Sequence, residues 1–302
     1  MKIKLNPTKL FGSLISDNKD NYYRIDIKSE TKNPKHKHVL QYATGCFFVV
    51  KTKTKNLKIK YTVHYRRTAQ EYFPLKWGAE VIVFAKINDE WEILNHWQDT
   101  IKNAGELKVS YDDMAVEQEY ELTFDLARVN AELFQICLPS QGKILDIEVE
   151  SDTNIEQLYK PASLIIAGSS IAAGSACSSS HNLSAMAYRR YGINIINCGI
   201  SGDHTFNCRE LMAELKQQKL KILVMDLLHI SEKTFLKYNK NKKFIYYIIT
   251  PVAVQYERFD IMPYIQKENI ANVSGEGHED ITHLNSAGTL YYLKQLKKKG
   301  II

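Results

Sequence analysis

The hydrophobic pattern of the chain changes near residue 155, and this change constrains the fold more than any other feature. Between about residues 39 and 150, apolar and polar residues alternate, as they do throughout residues 57–65. Such a period of two is typical of strands with one buried face. Residues 88–90 (Asn-Asp-Glu) separate two of these runs and predict a hairpin. Many short strands of this kind predict an all-β sandwich, or jelly-roll, over residues 1–155.

After Pro161, short apolar runs alternate with amphipathic segments of helix length. The runs span residues 164–167, 193–196, 222–228 and 244–250, and helices are predicted at 184–191, 208–219 and from about 286. Continuous apolar strands that alternate with helices are typical of a parallel sheet covered on both faces. The sequence therefore predicts a three-layer α/β domain over residues 156–302, with active residues on loops at the carboxyl ends of the strands.

Composition narrows the protein class. The 302 residues are 44% hydrophobic and 25% charged, as in a globular chain of two domains. The five cysteines (46, 137, 177, 198 and 208) form neither a metal-type pair nor a disulfide framework, which favours a reducing compartment. The first twenty residues contain no continuous apolar run, and no segment is long enough to span a bilayer. We therefore expect a cytoplasmic protein.

Charge and histidine content suggest no nucleic-acid, membrane or metal partner. The net charge is +6, and the lysines near the C-terminus are interpreted as a solvated surface. His36 and His38 lie in a lysine-rich stretch, predicted to be a loop, that has no nearby carboxylates, so we do not expect them to bind a metal.

A serine-containing turn follows the first apolar run of the second half. Gly168 ends the run, Ser169 and Ser170 follow, and a helix can begin at that point. A serine in this position lies beside backbone N–H groups that have no helical partner, and these groups can receive an oxyanion. The same stretch also fits a purely structural turn, in which a serine caps the helix and has no catalytic role.

Two later loops carry compatible residues. Gly199 and Gly202 follow the predicted strand at 193–196, and Gly202 can offer an unhindered N–H to an oxyanion. Asp280 and His283 lie three apart, on a predicted turn before the last helix. A carboxylate beside one imidazole nitrogen fixes the tautomer and leaves the other nitrogen as a base. Each of these signals is weak by itself.

Together, these three stretches resemble the motif blocks of the SGNH/GDSL hydrolase family. They read Gly-Ser-Ser-Ile from Gly168, Asn-x-Gly-x-x-Gly-Asp over 197–203, and Asp-x-Thr-His over 280–283. The resemblance covers about residues 163–300. With a β-sandwich ahead of it, the chain is similar to a two-domain branch that contains carbohydrate esterases and acyltransferases.

The resemblance assigns a role to each matching residue. It implies that Ser170 is the nucleophile, with Ser169 in the place of the usual Asp. Asp280 and His283 complete a catalytic triad, and the N–H groups of Ser170 and Gly202 form the oxyanion hole. It implies neither a metal nor a cofactor.

One family position is not matched. The third block follows a strand and supplies an Asn side chain to the oxyanion hole, but here that position aligns with Ile230, which cannot donate a hydrogen bond. His229 is a candidate substitute, and a purely structural role for it stays open. Loss of one such donor costs on the order of 10²–10³ in rate.

Three functions are compatible with these residues. The first is a serine esterase that acts on an acylated small molecule or carbohydrate. The second is an acyltransferase that uses the same triad with an alcohol in place of water. The third is a binding protein that keeps the triad but has lost efficient chemistry through the missing Asn.

Overall fold

The computed structural model describes residues 1–15, 21–27, 32–66, 80–94, 115–140, 142–174, 179–226, 230–231, 233–234, 237, 244–246, 270–272, 279–284 and 286–302. In chain order, its strands are β1 (Lys2–Lys4), β2 (Leu14–Ile15), β3 (Ile25–Asp26), β4 (Phe47–Lys51), β5 (Asn56–Arg66), β6 (Ile82–Ile87), β7 (Glu90–Ile93), β8 (Ala115–Asp125), β9 (Leu133–Cys137), β10 (Gly142–Ser151), β11 (Glu156–Leu158), β12 (Leu164–Ala167), β13 (Ile195–Asn197), β14 (Lys221–Val224), β15 (Phe244–Tyr246), β16 (Ile270–Asn272) and β17 (Glu279–Leu284).

The α-helices are α1 (Pro34–Gln41), α2 (Ser170–Ala173), α3 (Leu183–Tyr191), α4 (Arg209–Gln217) and α5 (Ser286–Lys298). Short 3-10 helices span Pro7–Lys9, Ser179–His181 and Thr205–Asn207. Among the helices of the described ranges, none is long and apolar enough to cross a bilayer.

Strands β1 and β4–β11 form two antiparallel sheets. Their strand orders are β1-β10-β5-β8 and β11-β4-β9-β6-β7. One hydrophobic cluster contains Ile59 and Val63 from the first sheet together with Phe48 and Val50 from the second. The predicted hairpin is confirmed: β6 and β7 are joined by Asn88 and Asp89, both with positive φ (49° and 65°), as two-residue hairpin turns require.

A parallel sheet of order β13-β12-β14-β15 dominates the second half. Alternate residues of its strand β12 enter different hydrophobic clusters. Ile165 and Ala167 pack with residues of α4, whereas Leu164 and Ile166 pack with residues of α3 and α5. Both faces of β12 are therefore buried, which explains its uninterrupted apolar sequence.

The described residues between 11 and 45 (11–15, 21–27 and 32–45), called here the N-terminal segment, contact this parallel sheet. Leu14, Ile25 and Leu40 belong to the same hydrophobic cluster as Ile165 and Ile196. The loop predicted around His36 and His38 is instead helix α1. This helix begins at Pro34, whose fixed φ suits a first helical position.

Helix α3 also packs against the five-stranded sheet. Phe11, Phe47 and Tyr188 form an aromatic cluster with ring centroids 4.9–5.3 Å apart. The guanidinium of Arg189 donates hydrogen bonds to the Gln135 side chain and to the Ser180 carbonyl. Burial lowers the pKa of Arg189.

Candidate active site

The serine turn lies at the carboxyl end of β12 and is closely packed. Gly168 has a φ of +155°, and a Cβ there would lie 2.5 Å from Oδ2 of Asp226 and 2.7 Å from the Cβ of Ala172. A side chain at this position is therefore excluded by both conformation and space. Helix α2 begins two residues later, at Ser170.

The two serines of the turn have different environments. Ser169 is 0% exposed, and its N–H donates to both carboxylate oxygens of Asp226, at 3.1 and 3.0 Å. Its Oγ is buried and makes no hydrogen bond to the residues the structure describes. Ser170 is 9% exposed and is the first residue of α2. Of the two hydroxyl-bearing residues, Ser170 is the one that retains contact with solvent.

The loop after β13 is tied to the same turn. The Gly168 carbonyl accepts hydrogen bonds from the N–H groups of Ile200 (3.2 Å) and Thr205 (3.1 Å), and the Gly168 N–H donates to the Thr205 hydroxyl at 3.0 Å. A Cβ on Gly199 would lie only 2.3 Å from the backbone N of Ala173, so this loop lies directly against α2. Gly202 occupies a turn of this loop with a φ of +70°.

Asp203, next to Gly202, is held by three donors. Its Oδ1 accepts from the His204 N–H (2.8 Å) and the Asn207 amide (2.6 Å), and its Oδ2 lies 2.7 Å from Nε2 of His36. Burial raises the pKa of Asp203, but the hydrogen bonds from Asn207 and His36 outweigh this effect, and the net shift is downward. His36 therefore has a carboxylate partner from a distant part of the sequence, which its lysine-rich surroundings did not suggest.

Arg24 makes a second set of contacts that the sequence did not predict. It is fully buried, and its guanidinium donates to the carbonyls of Gly199 (2.7 Å) and Val39 (2.9 Å) and to Oδ1 of Asn197 (3.2 Å). Burial lowers its pKa. Among the residues that the structure describes, no carboxylate pairs with it, and no group of three or more potential metal ligands occurs.

A buried pair of polar residues lies beneath the serine turn. Nδ1 of His204 accepts from the Phe206 N–H (3.2 Å), so the ring proton is on Nε2, which donates to the Asp226 carbonyl at 2.9 Å. Both side chains are fully buried. The sequence contains a signal for Asp226, since this residue interrupts the apolar run at 222–228 that predicts a single strand.

The strand is shorter than the predicted one at 222–228, and part of the third motif block lies outside the described residues. Strand β14 ends at Val224, and the next described residue after Asp226 is Ile230. Ile230 is partly buried against the hydrophobic cluster that contains Ile222. His229 lies outside the described residues.

Asp280 and His283 lie on strand β17, so the prediction of a turn there is wrong. The segment pairs with β16, and this pairing provides backbone partners that a local sequence pattern cannot show. Strand β17 and helix α2 approach within 8 Å between Cα atoms. Leu284 shares a hydrophobic cluster with Ile171 and Ala172 of α2. The backbone that carries Asp280 and His283 is therefore close to the serine turn, while their side chains lie outside the described part of the structure.

Comparison with known proteins supports this fold. No family model and no curated protein sequence matches the chain. Among solved structures, the chain is similar to a protein described as a GDSL-like lipase from Bacteroides ovatus, with 16% identity, a TM-score of 0.67, and coverage of 99% of this chain and 97% of that one. It is also similar to the salicylyl-acyltransferase SsfX3 from a tetracycline biosynthetic pathway, with 14% identity, a TM-score of 0.58 and the same coverages. The chain thus shares with these two proteins a fold that combines sheets and helices.

Proposed function

We propose that the chain is a serine acyl hydrolase with Ser170 as nucleophile, His283 as general base and Asp280 as the residue that orients His283. The observation that carries the proposal is the meeting of three chain segments: the serine turn, the loop that contains Gly202, and strand β17. The environments of the two serines support Ser170 as the nucleophile. Ser169 is buried and its N–H is bound to Asp226, whereas Ser170 begins α2.

The reaction follows from these assignments. Ser170 Oγ attacks the carbonyl carbon of the ester while His283 takes the hydroxyl proton. The N–H groups of Ser170 and Gly202 hold the oxyanion of the tetrahedral intermediate. Its collapse releases the alcohol, which receives the proton from His283, and leaves an acyl group on Ser170. A water molecule, activated by His283, then releases the acid and restores the hydroxyl.

The proposal extends to the organisation of the protein. Residues 1–155 constitute a β-sandwich accessory domain that also contains helix α1, and residues 156–302 constitute a three-layer catalytic domain without metal or cofactor. The substrate is an acylated small molecule or carbohydrate, and the protein acts in the cytoplasm. The fold likeness to a GDSL-like lipase and to a salicylyl-acyltransferase supports acyl chemistry of this kind.

Acyl transfer is the second candidate, and the residue at position 230 favours it. Ile230 offers no side-chain donor at the position where the family that this chain resembles has an Asn. An oxyanion hole made only of backbone N–H groups stabilises the intermediate less, and turnover with water would therefore be slower. Likeness to the salicylyl-acyltransferase points the same way. The substitution His229→Ala separates two cases: activity falls by about 10²-fold if His229 supplies the missing donor, and is unchanged per folded molecule if it does not.

Labelling with a fluorophosphonate, located by peptide mass spectrometry, tests the nucleophile. We expect the adduct on Ser170, its loss in Ser170→Ala, and its retention in the matched control Ser169→Ala, whose Oγ makes no described hydrogen bond. His283→Ala should abolish labelling as well. An adduct on Ser169, or unchanged labelling of Ser170→Ala, contradicts the assignment.

A panel of p-nitrophenyl esters, with and without added alcohols or sugars, separates hydrolysis from transfer. A hydrolase releases free acid at a rate that is independent of the acceptor. A transferase forms the new ester and accelerates with acceptor concentration. If the wild-type protein neither reacts with the fluorophosphonate nor turns over any ester of the panel, only the binding-protein alternative is left.

A further inference from the structure

We propose that Arg24 and His36, both in the N-terminal segment, act as positioning residues for the loop that carries Gly202. The role assigned to Gly202 rests on the proposed function. The contacts that brace the loop do not depend on it. The sequence places this segment within the predicted β-sandwich domain of residues 1–155, where it would be expected to serve only as part of an accessory domain.

Hydrogen bonds of Gly12 join the segment to β13 and to the residue that precedes it. The Asn197 N–H donates to the Gly12 carbonyl at 2.9 Å, and the Gly12 N–H donates to the Asn194 side chain at 3.0 Å. Gly12 has a φ of +77°, and a Cβ there would lie 2.6 Å from the Gly45 carbonyl oxygen. The close approach of the Gly12 and Gly45 backbones, both within this segment, therefore requires glycine at position 12.

Arg24 holds the first part of the loop. Its buried guanidinium bridges the Gly199 carbonyl and the Val39 carbonyl, and it also reaches Oδ1 of Asn197. A buried charge that has no carboxylate partner among the described residues is costly, and it is tolerated when carbonyl dipoles surround it. Its donors cross-link the loop after β13 to the segment that contains α1.

His36 holds the second part of the loop. It is buried on α1, and its Nε2 lies 2.7 Å from Oδ2 of Asp203, the residue after Gly202. Nε2 can donate in the imidazolium and in one neutral tautomer, so this contact does not require a charged histidine. The other oxygen of Asp203 is held from within the loop, by His204 and Asn207. His36 therefore supplies the donor that ties Asp203 to the N-terminal segment.

These two anchors lie on either side of Gly202. Arg24 binds the carbonyl of Gly199, three residues before it, and His36 binds the side chain of Asp203, immediately after it. An oxyanion donor stabilises the transition state only if its N–H points at the developing charge. Because a misplacement of about 1 Å can lower a rate by about 10²-fold, loss of either anchor should reduce kcat rather than substrate binding.

The test compares His36→Leu, which removes the donor, with His36→Gln, whose amide nitrogen can replace Nε2. Each variant is measured by amide hydrogen exchange of peptides covering residues 198–207 and by hydrolysis of p-nitrophenyl acetate. We expect His36→Leu to raise exchange in these peptides and to lower kcat by about 10²-fold with KM within about twofold, and His36→Gln to restore most of both.

The matched control is Tyr22→Phe, which removes another buried hydrogen bond of the same segment, to the Leu5 carbonyl at 2.8 Å, away from the loop. It should leave exchange over 198–207 and kcat at wild-type values. If His36→Leu does not fold, the shorter His36→Asn replaces it with the same expectation.

The outcomes distinguish the two proposals. Unchanged exchange over 198–207 in His36→Leu overturns the bracing, and raised exchange with unchanged kcat in an active protein overturns the positioning role. A wild-type protein without turnover or Ser170 labelling refutes the proposed function, and the exchange comparison still decides whether the N-terminal segment braces the loop.

Discussion

A methyl group added at Gly199 should separate the nucleophile from its oxyanion loop. The Cβ of Gly199→Ala would lie 2.3 Å from the backbone N of Ala173 and 2.7 Å from the carbonyl C of Ala172. An ordinary contact begins at 3.4 Å, so α2 and the loop must move apart by about 1.1 Å. Both obstacles are backbone atoms, and therefore no side-chain rotation can relieve the overlap.

The expected cost follows from this displacement. Overpacking of this kind costs about 1–3 kcal/mol of stability. A displacement of about 1 Å between Ser170 and the loop lowers the rate of acylation by about 10²-fold. The melting temperature, followed by circular dichroism, should fall by about 2–10 °C. The second-order rate of fluorophosphonate labelling should fall with the rate of acylation.

Gly192→Ala is the matched control. A Cβ at this position meets no atom of the described residues within 4 Å, although its φ of +63° makes alanine unfavourable by about 1–2 kcal/mol. It should therefore lose stability without losing labelling per folded molecule. Gly199→Ala with wild-type melting temperature and wild-type labelling would refute the close packing of the loop on α2.

Three further results are expected. Asn182→Ala should lose about 1–2 kcal/mol in urea denaturation, because Asn182 caps α3 and donates to the Ala173 carbonyl, and Asn182→Ser, which keeps a capping oxygen, should lose less. Asp203→Asn should lower the free energy of unfolding at pH 7. The difference in this free energy from wild type should shrink as the pH falls below about 4. A carboxylate whose pKa is lowered by folding stabilises the protein above its pKa in the unfolded state, and this stabilisation is lost as the carboxylate is protonated. Iodoacetamide should modify the buried thiols only after unfolding, because burial raises their pKa values: Cys46 and Cys198 to about 12, Cys137 and Cys208 to about 11.

Each of these three predictions can be contradicted by a specific measurement. Equal stability of Asn182→Ala and wild type would show that neither hydrogen bond of Asn182 matters. A difference for Asp203→Asn that grows on acidification would contradict the sign of the pKa shift. Alkylation of the four thiols in the native protein, seen by mass spectrometry at 25 °C, would contradict their burial.

The sequence by itself determined the features that depend on local burial and local backbone conformation. Alternation in residues 57–65 and the apolar run of β12 both reflect which faces of a strand are buried, and each is visible within a few residues. Asn88 and Asp89 predicted the hairpin because their side chains tolerate the positive φ of its turn. Gly168 marked a turn because glycine adopts its φ of +155° without the steric cost that a side chain would carry.

Only the tertiary structure decided which distant residues support the candidate site. His36 and Asp203 are 167 positions apart, and Arg24 and Gly199 are 175 apart, so no local periodicity relates them. The strand that carries Asp280 and His283 exists because β16 pairs with it, and the same four residues would also suit a turn. A buried charge or an isolated strand is stable only when its partners are in place, and those partners are chosen by the packing of the whole chain rather than by any one segment.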